Sequence, residues 1–198
     1  MDKSEFRRFC IDKLKKVSIQ NKIRADRNIS HSIQRLLLKL KPKTVLAYID
    51  MPHEPNIRKL FPFIRIHSEL FIPFMAGESF KMVKYRLPLR SAKFGIYEAA
   101  NSHRKMNRVD VMIVPVVGVD KDFKRIGFGK GMYDRFHAKL TNKPIIIFVQ
   151  TRACMTKKSI TDIYDIKADY FITSEKSVLA SRLGNVNRSI TRRRCSNR

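Results

Sequence analysis

The chain has 198 residues, 43% of them hydrophobic and 13 of them phenylalanine, with 42 Lys and Arg against 17 Asp and Glu, a formal charge of +25. That length fits one domain with a sizeable core, no apolar run is long enough for a membrane-spanning helix, and the N-terminal "MDKSEFRRFCIDKLKK" holds no apolar stretch of signal-peptide type. The cysteines, Cys10, Cys154 and Cys195, are odd in number and far apart with no C-x-x-C, so their spacing indicates neither a disulfide framework nor a zinc site, and a reducing cytoplasm is expected. The charge favours an anionic partner, with nucleic acid the first class to consider. Yet the basic residues run along the whole chain, as they would on a solvated surface.

Residues 3–17 place Phe6, Phe9, Cys10, Leu14 and Val17 at helical spacing, and residues 23–40 predict a second helix ended by Pro42. "TVLAYI" (44–49) is a β-branched run and predicts a buried strand, followed by the loop "DMPHEPN". A short helix is expected over 57–66, then two strands over 69–75 and 80–85 joined by "AGES", then irregular chain through Asn107. "VDVMIVPVV" (109–117), "PIIIFVQ" (144–150) and "DYFITS" (169–174) predict three more strands, with a helix over 131–140. Continuous apolar strands are buried on both faces, and their alternation with helices implies an α/β layered, largely parallel sheet. Residues 109–150 read as a βαβ unit with a glycine loop at its first strand-to-helix turn. The final "SRLGNVNRSITRRRCSNR", with six arginines and no acid, reads as a disordered tail.

The loop itself is "RIGFGKGMYDRF", which spends three of the chain's seven glycines at Gly127, Gly129 and Gly131. Glycines let the main chain approach an anion and take positive φ, and a helix N-terminus presents unpaired N–H groups and a positive dipole end. Lys130 and Arg125 add charge. The spacing is neither a Walker loop nor G-x-G-x-x-G, so the residues alone support an anion-binding turn or a plain tight turn. Asp134 in the first helical turn is either a dipole contact or a ligand for Mg²⁺ against bound phosphate. Tyr133, Phe136 and Leu140 share one helix face and read as core. His53-Glu54 opens like a zinc-protease motif, but Ile57 stands where the second His belongs, and there is no G-x-S-x-G.

"VPVVGVDKDFKRIGFGKGMYDRF" resembles the signature of the 5-formyltetrahydrofolate cyclo-ligase family. Lys3 and Arg7 match its N-terminal K-x-x-x-R, "AYIDMPHEPNI" is similar to its substrate loop, "FGIYEAAN" echoes a Gly-Ile-x-Glu-Pro segment, and "FVQ…ITDIYDIKADYFIT" resembles its closing pattern, so the likeness spans residues 3–175. It implies a three-layer, Rossmann-like α/β sandwich in one domain over 1–182, with 183–198 as a basic tail. It implies a reaction in which ATP phosphorylates the formyl oxygen of 5-formyltetrahydrofolate, the other folate nitrogen attacks the activated carbon, and phosphate leaves to give 5,10-methenyltetrahydrofolate. Carried over by position, Lys3, Arg7 and the loop Arg125, Ile126, Gly127, Phe128, Gly129, Lys130, Gly131, Met132 and Tyr133 bind ATP. Arg125 and Lys130 stabilise the transferring phosphoryl group, and Asp134 and Asp165 hold Mg²⁺. Ile49, Glu54, Phe128, Gly129, Lys130, Gly131 and Met132 line the folate pocket.

Three positions depart from the pattern: Met132 stands at a usually aromatic place, Ala99 at a usual proline and Tyr164 at a usual histidine. The implied enzyme is a cytoplasmic monomer whose positive surface attracts ATP and the polyglutamate tail of folates. The rival classes are a nucleic-acid-binding module, which would explain the charge and tail but not the glycine loop, and an ATP- and folate-binding protein without catalysis.

Overall fold

The computed structural model describes residues 1–87, 90–91, 97–98, 106–175 and 177–179. The expected Arg-rich tail and most of "FGIYEAAN", Ala99 included, lie outside the described residues.

Helix α1 (Lys3–Lys15) opens on a capping box, in which Asp2 accepts from Ser4 N and Glu5 N while the Glu5 carboxylate accepts from Asp2 N. That cap fixes the helix start, so Lys3 stands in the first turn and Arg7 one turn later. Helix α2 (Ile19–Leu40) begins four residues before its expected start, because Ser18 caps it through Asn21 N. It ends on Lys41 in the left-handed region, one residue before Pro42.

Strand β1 (Thr44–Leu46) is shorter than its apolar run, although Ala47 N still reaches Phe71 O at 2.9 Å before the chain leaves the sheet. A 3₁₀ turn (Arg58–Leu60) runs into α3 (Phe61–His67), and β2 (Glu69–Ala76) and β3 (Ser79–Lys84) form an antiparallel hairpin. The short strands β4 (Arg90–Ser91) and β5 (Tyr97–Glu98) pair with each other. Then come β6 (Val111–Pro115), β7 (Gly118–Val119), β8 (Arg125–Ile126), α4 (Met132–Ala138), β9 (Ile145–Gln150), β10 (Tyr170–Thr173) and β11 (Ser177–Leu179).

Seven strands make one sheet in the order β11-β10-β9-β6-β1-β2-β3. All pairs are parallel except β11 with β10 and β2 with β3, at the two edges. This is the largely parallel α/β architecture expected. The βαβ unit is real, since β6 pairs in parallel with β9. One detail is corrected: the glycine loop does not follow β6 directly. The hairpin β7–β8 intervenes, with Gly118 paired to Ile126, so the loop leaves from the end of β8.

Alternate residues of the central strands feed two cores. Val45, Val111, Ile113, Ile147 and Val149 face α2 and α3, while Leu46, Met112, Val114, Ile146 and Phe148 face Phe136 of α4. A helix layer thus covers each face of the sheet. A third cluster, Phe6, Cys10, Val117, Ile126 and Cys154, docks α1 against β8. Within it Cys10 and Cys154 form a disulfide across 144 residues. The expectation that these cysteines form none is corrected. Their distance in sequence hides that α1 returns to lie on the segment after β9, where Lys13 Nζ also donates to Ala153 O at 2.8 Å.

The chain passes from β1 to β2 on one side and then to β6 on the other. The order therefore reverses between β1 and β6. In open α/β sheets the crevice outside the carboxyl ends of the strands at such a reversal is where ligands bind.

Candidate active site

A cavity of about 260 Å³ lies at that reversal. Tyr48, Ile49, Met51 and Glu54 reach it from beyond β1, and Pro115 from the end of β6. Arg125, Phe128, Lys130, Gly131, Met132 and Tyr133 come from the glycine loop and the start of α4, and Pro73, Met75 and Phe80 from the β2–β3 hairpin. The walls are mostly apolar, with a few charged groups converging, as a site for a flat organic ligand requires. A larger groove of about 690 Å³ between α2 and Thr173–Glu175 contains none of the glycine-loop residues.

Arg125 is the most constrained of the charges. It is only 7% exposed, its Nη1 lies 3.3 Å from Asp134 Oδ2, and its guanidinium stands 5.0 Å from the centre of the Tyr133 ring. Its Nε is buried with no hydrogen-bond partner among the described residues. A buried cation with an unused donor is costly unless a ligand completes it. Gly127 makes room for this arginine, since a Cβ there would stand 2.6 Å from Arg125 Cζ. Gly129 has φ +105°, and its nearest neighbour is Arg7 at 3.8 Å, so this position needs glycine for its backbone angle rather than for space. Gly131, also left-handed, is the N-cap of α4.

The other charged residues named from the sequence fall around this loop. Arg7 Nε donates to Gly127 O at 2.8 Å. Lys3 Nζ pairs with Asp165 Oδ2 at 2.5 Å and Asp162 Oδ2 at 3.0 Å. Burial lowers the Lys3 pKa, but the bonds to these two carboxylates outweigh it and hold the ammonium above its usual value. Asp134 Oδ1 accepts from Ile166 N at 3.1 Å, so the first turn of α4 and the segment bearing Asp165 are joined directly. Among the described residues, Asp165 accepts from Lys3 Nζ and Asp162 N, both at Oδ2.

Glu54 is 8% exposed and faces the cavity, its Oε2 accepting from Met51 N at 2.9 Å. Burial raises its carboxyl pKa from 4.5 to about 7, against the opposing effects of the Met51 N–H and the Arg125 charge. Burial also raises the Tyr48 and Tyr133 phenols above their ordinary range.

A sequence profile of the 5-formyltetrahydrofolate cyclo-ligase family matches residues 1–156. The chain belongs to that family. A relative from Mycoplasma pneumoniae, named 5-formyltetrahydrofolate cyclo-ligase, is 27% identical over 175 residues, 88% of this chain and all of the relative. One of the same name from Mycolicibacterium smegmatis is 25% identical over 73% of this chain and 80% of its own length. Among solved structures, 5,10-methenyltetrahydrofolate synthetase from Aquifex aeolicus superposes with a TM-score of 0.80 at 26% identity, over 96% of this chain and 98% of that one.

The structure gathers the family's positions unevenly. Ile49, Glu54, Arg125, Phe128, Lys130, Gly131, Met132 and Tyr133 line one cavity. Lys3, Asp162 and Asp165 form a charged cluster beside it, while Ile126 turns its side chain into the core with Phe6 and Cys10. Tyr133, read as core from its helix face and as part of the ATP loop from the resemblance, meets the Phe80 ring edge-on at 5.0 Å and lines the cavity.

Sequence reasoning missed Pro73, Met75 and Phe80, and it did not single out Tyr48 and Met51 within the stretch similar to the family's substrate loop, nor Pro115 within the signature. Tyr48 and Pro115 carried one usable signal, a position at the carboxyl end of a buried strand. The hairpin residues carried none, because only the sheet's closure brings them to the cavity. Phe80 adds an aromatic ring to the cavity that Met132 also lines.

Proposed function

We propose that the chain converts 5-formyltetrahydrofolate to 5,10-methenyltetrahydrofolate at the cavity between β1 and β6, with hydrolysis of ATP to ADP and phosphate. The observation that carries this reading is the placement of Arg125, a buried cation with an unused donor, on the glycine loop and facing the same cavity as Glu54. One wall suits transferring phosphate and the other a heterocycle with N–H groups to be accepted.

Folate packs against Ile49, Phe80, Phe128 and Met132, and the Glu54 carboxylate accepts from its pterin ring. Arg7 and the main chain of Gly127–Gly131 hold the phosphates. Arg125 and Lys130 oppose charge on the phosphoryl group as it moves to the formyl oxygen, the kind of fixed electrostatic complement on which phosphoryl transfer depends. Among the described residues no three metal-ligating side chains gather into one group, so Asp134 and Asp165 would be the protein's two carboxylates toward a hard divalent cation, with the phosphates completing its shell. Mg²⁺ bound there supplies charge neutralisation to the phosphates. Lys3 is the ion-pair partner of Asp165.

The test is the purified chain with 5-formyltetrahydrofolate, ATP and Mg²⁺. Near-UV absorbance of the methenyl product should grow with ADP released in equal amount, and omission of either ATP or Mg²⁺ should stop it. Well-folded protein that makes no methenyl product under those conditions overturns the reading.

A further inference from the structure

The segment that carries Glu54 to the cavity, between β1 and the 3₁₀ turn, makes no strand pairing after Ala47 and contains Pro52 and Pro55. It is instead fastened from behind. Tyr48, 2% exposed, donates its hydroxyl to Pro55 O at 2.6 Å. Asp26, on α2 and outside the cavity lining, accepts from Asn56 N at 2.9 Å, and Lys22 one turn earlier holds Asp26 at 3.1 Å. Asp50 pairs with Arg58 at 2.8 Å across the mouth of the segment. Within it, Glu54 N donates to Met51 O while Met51 N donates to Glu54 Oε2, both at 2.9 Å.

Two of these fasteners grip the residues immediately after Glu54 without touching Glu54 itself. A carboxylate among apolar walls gains by swinging out to water, and a loop without strand partners beyond Ala47 has no ladder hydrogen bonds to hold it in. Fixing Pro55 and Asn56 removes that freedom, and an acceptor already in place binds its ligand without an ordering cost. We infer that Tyr48 and Asp26 are positioning residues that hold Glu54 in the orientation folate needs. The inference rests on the function proposed above.

The experiment uses the full chain as Tyr48→Phe, Asp26→Ala and Asp26→Asn. Tyr48→Phe keeps the ring in the cavity wall and removes only the hydroxyl. Asp26→Asn keeps an acceptor oxygen for Asn56 N. We expect Tyr48→Phe and Asp26→Ala each to raise KM for 5-formyltetrahydrofolate roughly tenfold, the effect of one buried hydrogen bond. KM for ATP should be unchanged and kcat within about twofold, and Asp26→Asn should restore folate KM to near the parent value. Without ligand, hydrogen exchange at the Asn56 and Met51 amides should quicken in both impaired variants.

An unchanged folate KM in Tyr48→Phe overturns the inference, as does an equal rise in KM for both substrates, which would mean general loosening. If the parent chain makes no methenyl product, the proposed function fails by itself. Amide exchange then decides this inference independently: faster exchange at Asn56 in Tyr48→Phe upholds the fastening, and unchanged exchange overturns it.

Discussion

Lys3 Nζ and Asp165 Oδ2 are 162 residues apart in sequence and 2.5 Å apart in space. The pair joins a residue that the family pattern assigns to phosphate with one that it assigns to the metal. Each neutralises the other beside the glycine loop, and Arg7, one turn along α1, already holds Gly127 O. Partly exposed ion pairs contribute little to stability, about 0–1 kcal/mol. Removing the cations should therefore reveal their role in binding. Lys3→Ala with Arg7→Ala should raise KM for ATP at least about tenfold and leave KM for folate within about twofold. Steady-state rates with each substrate varied in turn check this, and equal, small changes in both constants would leave Lys3 and Arg7 as a solvated basic face.

The two aspartates should behave differently. Asp165→Asn removes charge from a partly exposed cluster, so turnover should fall while the melting temperature stays within about 2 °C, and excess Mg²⁺ should recover part of the rate. Asp134→Asn also strips the countercharge from buried Arg125. Leaving a buried charge unpaired costs about 3–5 kcal/mol, so this variant should melt lower by roughly 10 °C and recover less with Mg²⁺. Full activity of both variants at limiting Mg²⁺ would remove the metal assignment.

The glycines separate two physical demands. Gly127→Ala pushes a methyl group into the space of the Arg125 guanidinium, so turnover should drop by roughly 100-fold or more as that charge moves. Gly129→Ala meets only an ordinary contact, with Arg7 at 3.8 Å, but an unfavourable φ, and should cost about 1–2 kcal/mol of stability, with a smaller loss of turnover. Melting curves and initial rates of the two variants distinguish these cases.

Much of this was legible in the chain because the strong signals are local. The run over Val111–Pro115 is buried at every position and forms the central strand. The unusual concentration of glycine marks the loop that faces the cavity. The hairpin β7–β8 was not legible, because Gly118–Val119 and Arg125–Ile126 are two-residue strands whose pairing leaves no periodicity. Nor were the fasteners of the Glu54 segment. Tyr48 reads as one more apolar residue in "TVLAYI", and Asp26 as a polar position on a helix face, until the fold sets them against Pro55 and Asn56. Side chains that serve distant backbone atoms leave no pattern in sequence.

Glu54 makes stability depend on pH in a definite direction. Burial raises its folded pKa to about 7 from an ordinary 4.5, so the folded state prefers the protonated acid. Its contribution is full below pH 4.5 and is lost as pH rises through 7, a difference of at most about 3 kcal/mol. Glu54→Gln should therefore melt higher than the parent at pH 8, by roughly 5 °C, and show little advantage at pH 4.5. The same variant should bind 5-formyltetrahydrofolate more weakly, because an amide is a poorer acceptor than a carboxylate. An identical pH dependence of melting in parent and variant would show that Glu54 is not the group responsible.

The disulfide ties α1 to the rest of the site. Cys10 lies one turn beyond Arg7 on the same helix, and its partner Cys154 follows Gln150, whose side-chain oxygen accepts from Cys154 N at 2.9 Å. Phe6, Cys10, Ile126 and Cys154 form one buried cluster immediately before Gly127. Opening the cross-link releases a long loop in the unfolded chain, for which about 2–5 kcal/mol of stability is the usual cost. Reduction, or Cys10→Ala with Cys154→Ala, should lower the melting temperature by roughly 5–15 °C. Because α1 presents Lys3 and Arg7 to the loop, the same change should raise KM for ATP more than KM for folate. Intact-mass measurement after thiol alkylation gives the redox state directly, and parallel melting and kinetic runs with and without reductant give the two consequences. If the reduced chain melts at the same temperature as the oxidised one, the packing of Phe6 and Cys10 with the contacts of Lys3, Arg7 and Lys13 holds α1, and the bond is not what docks this helix.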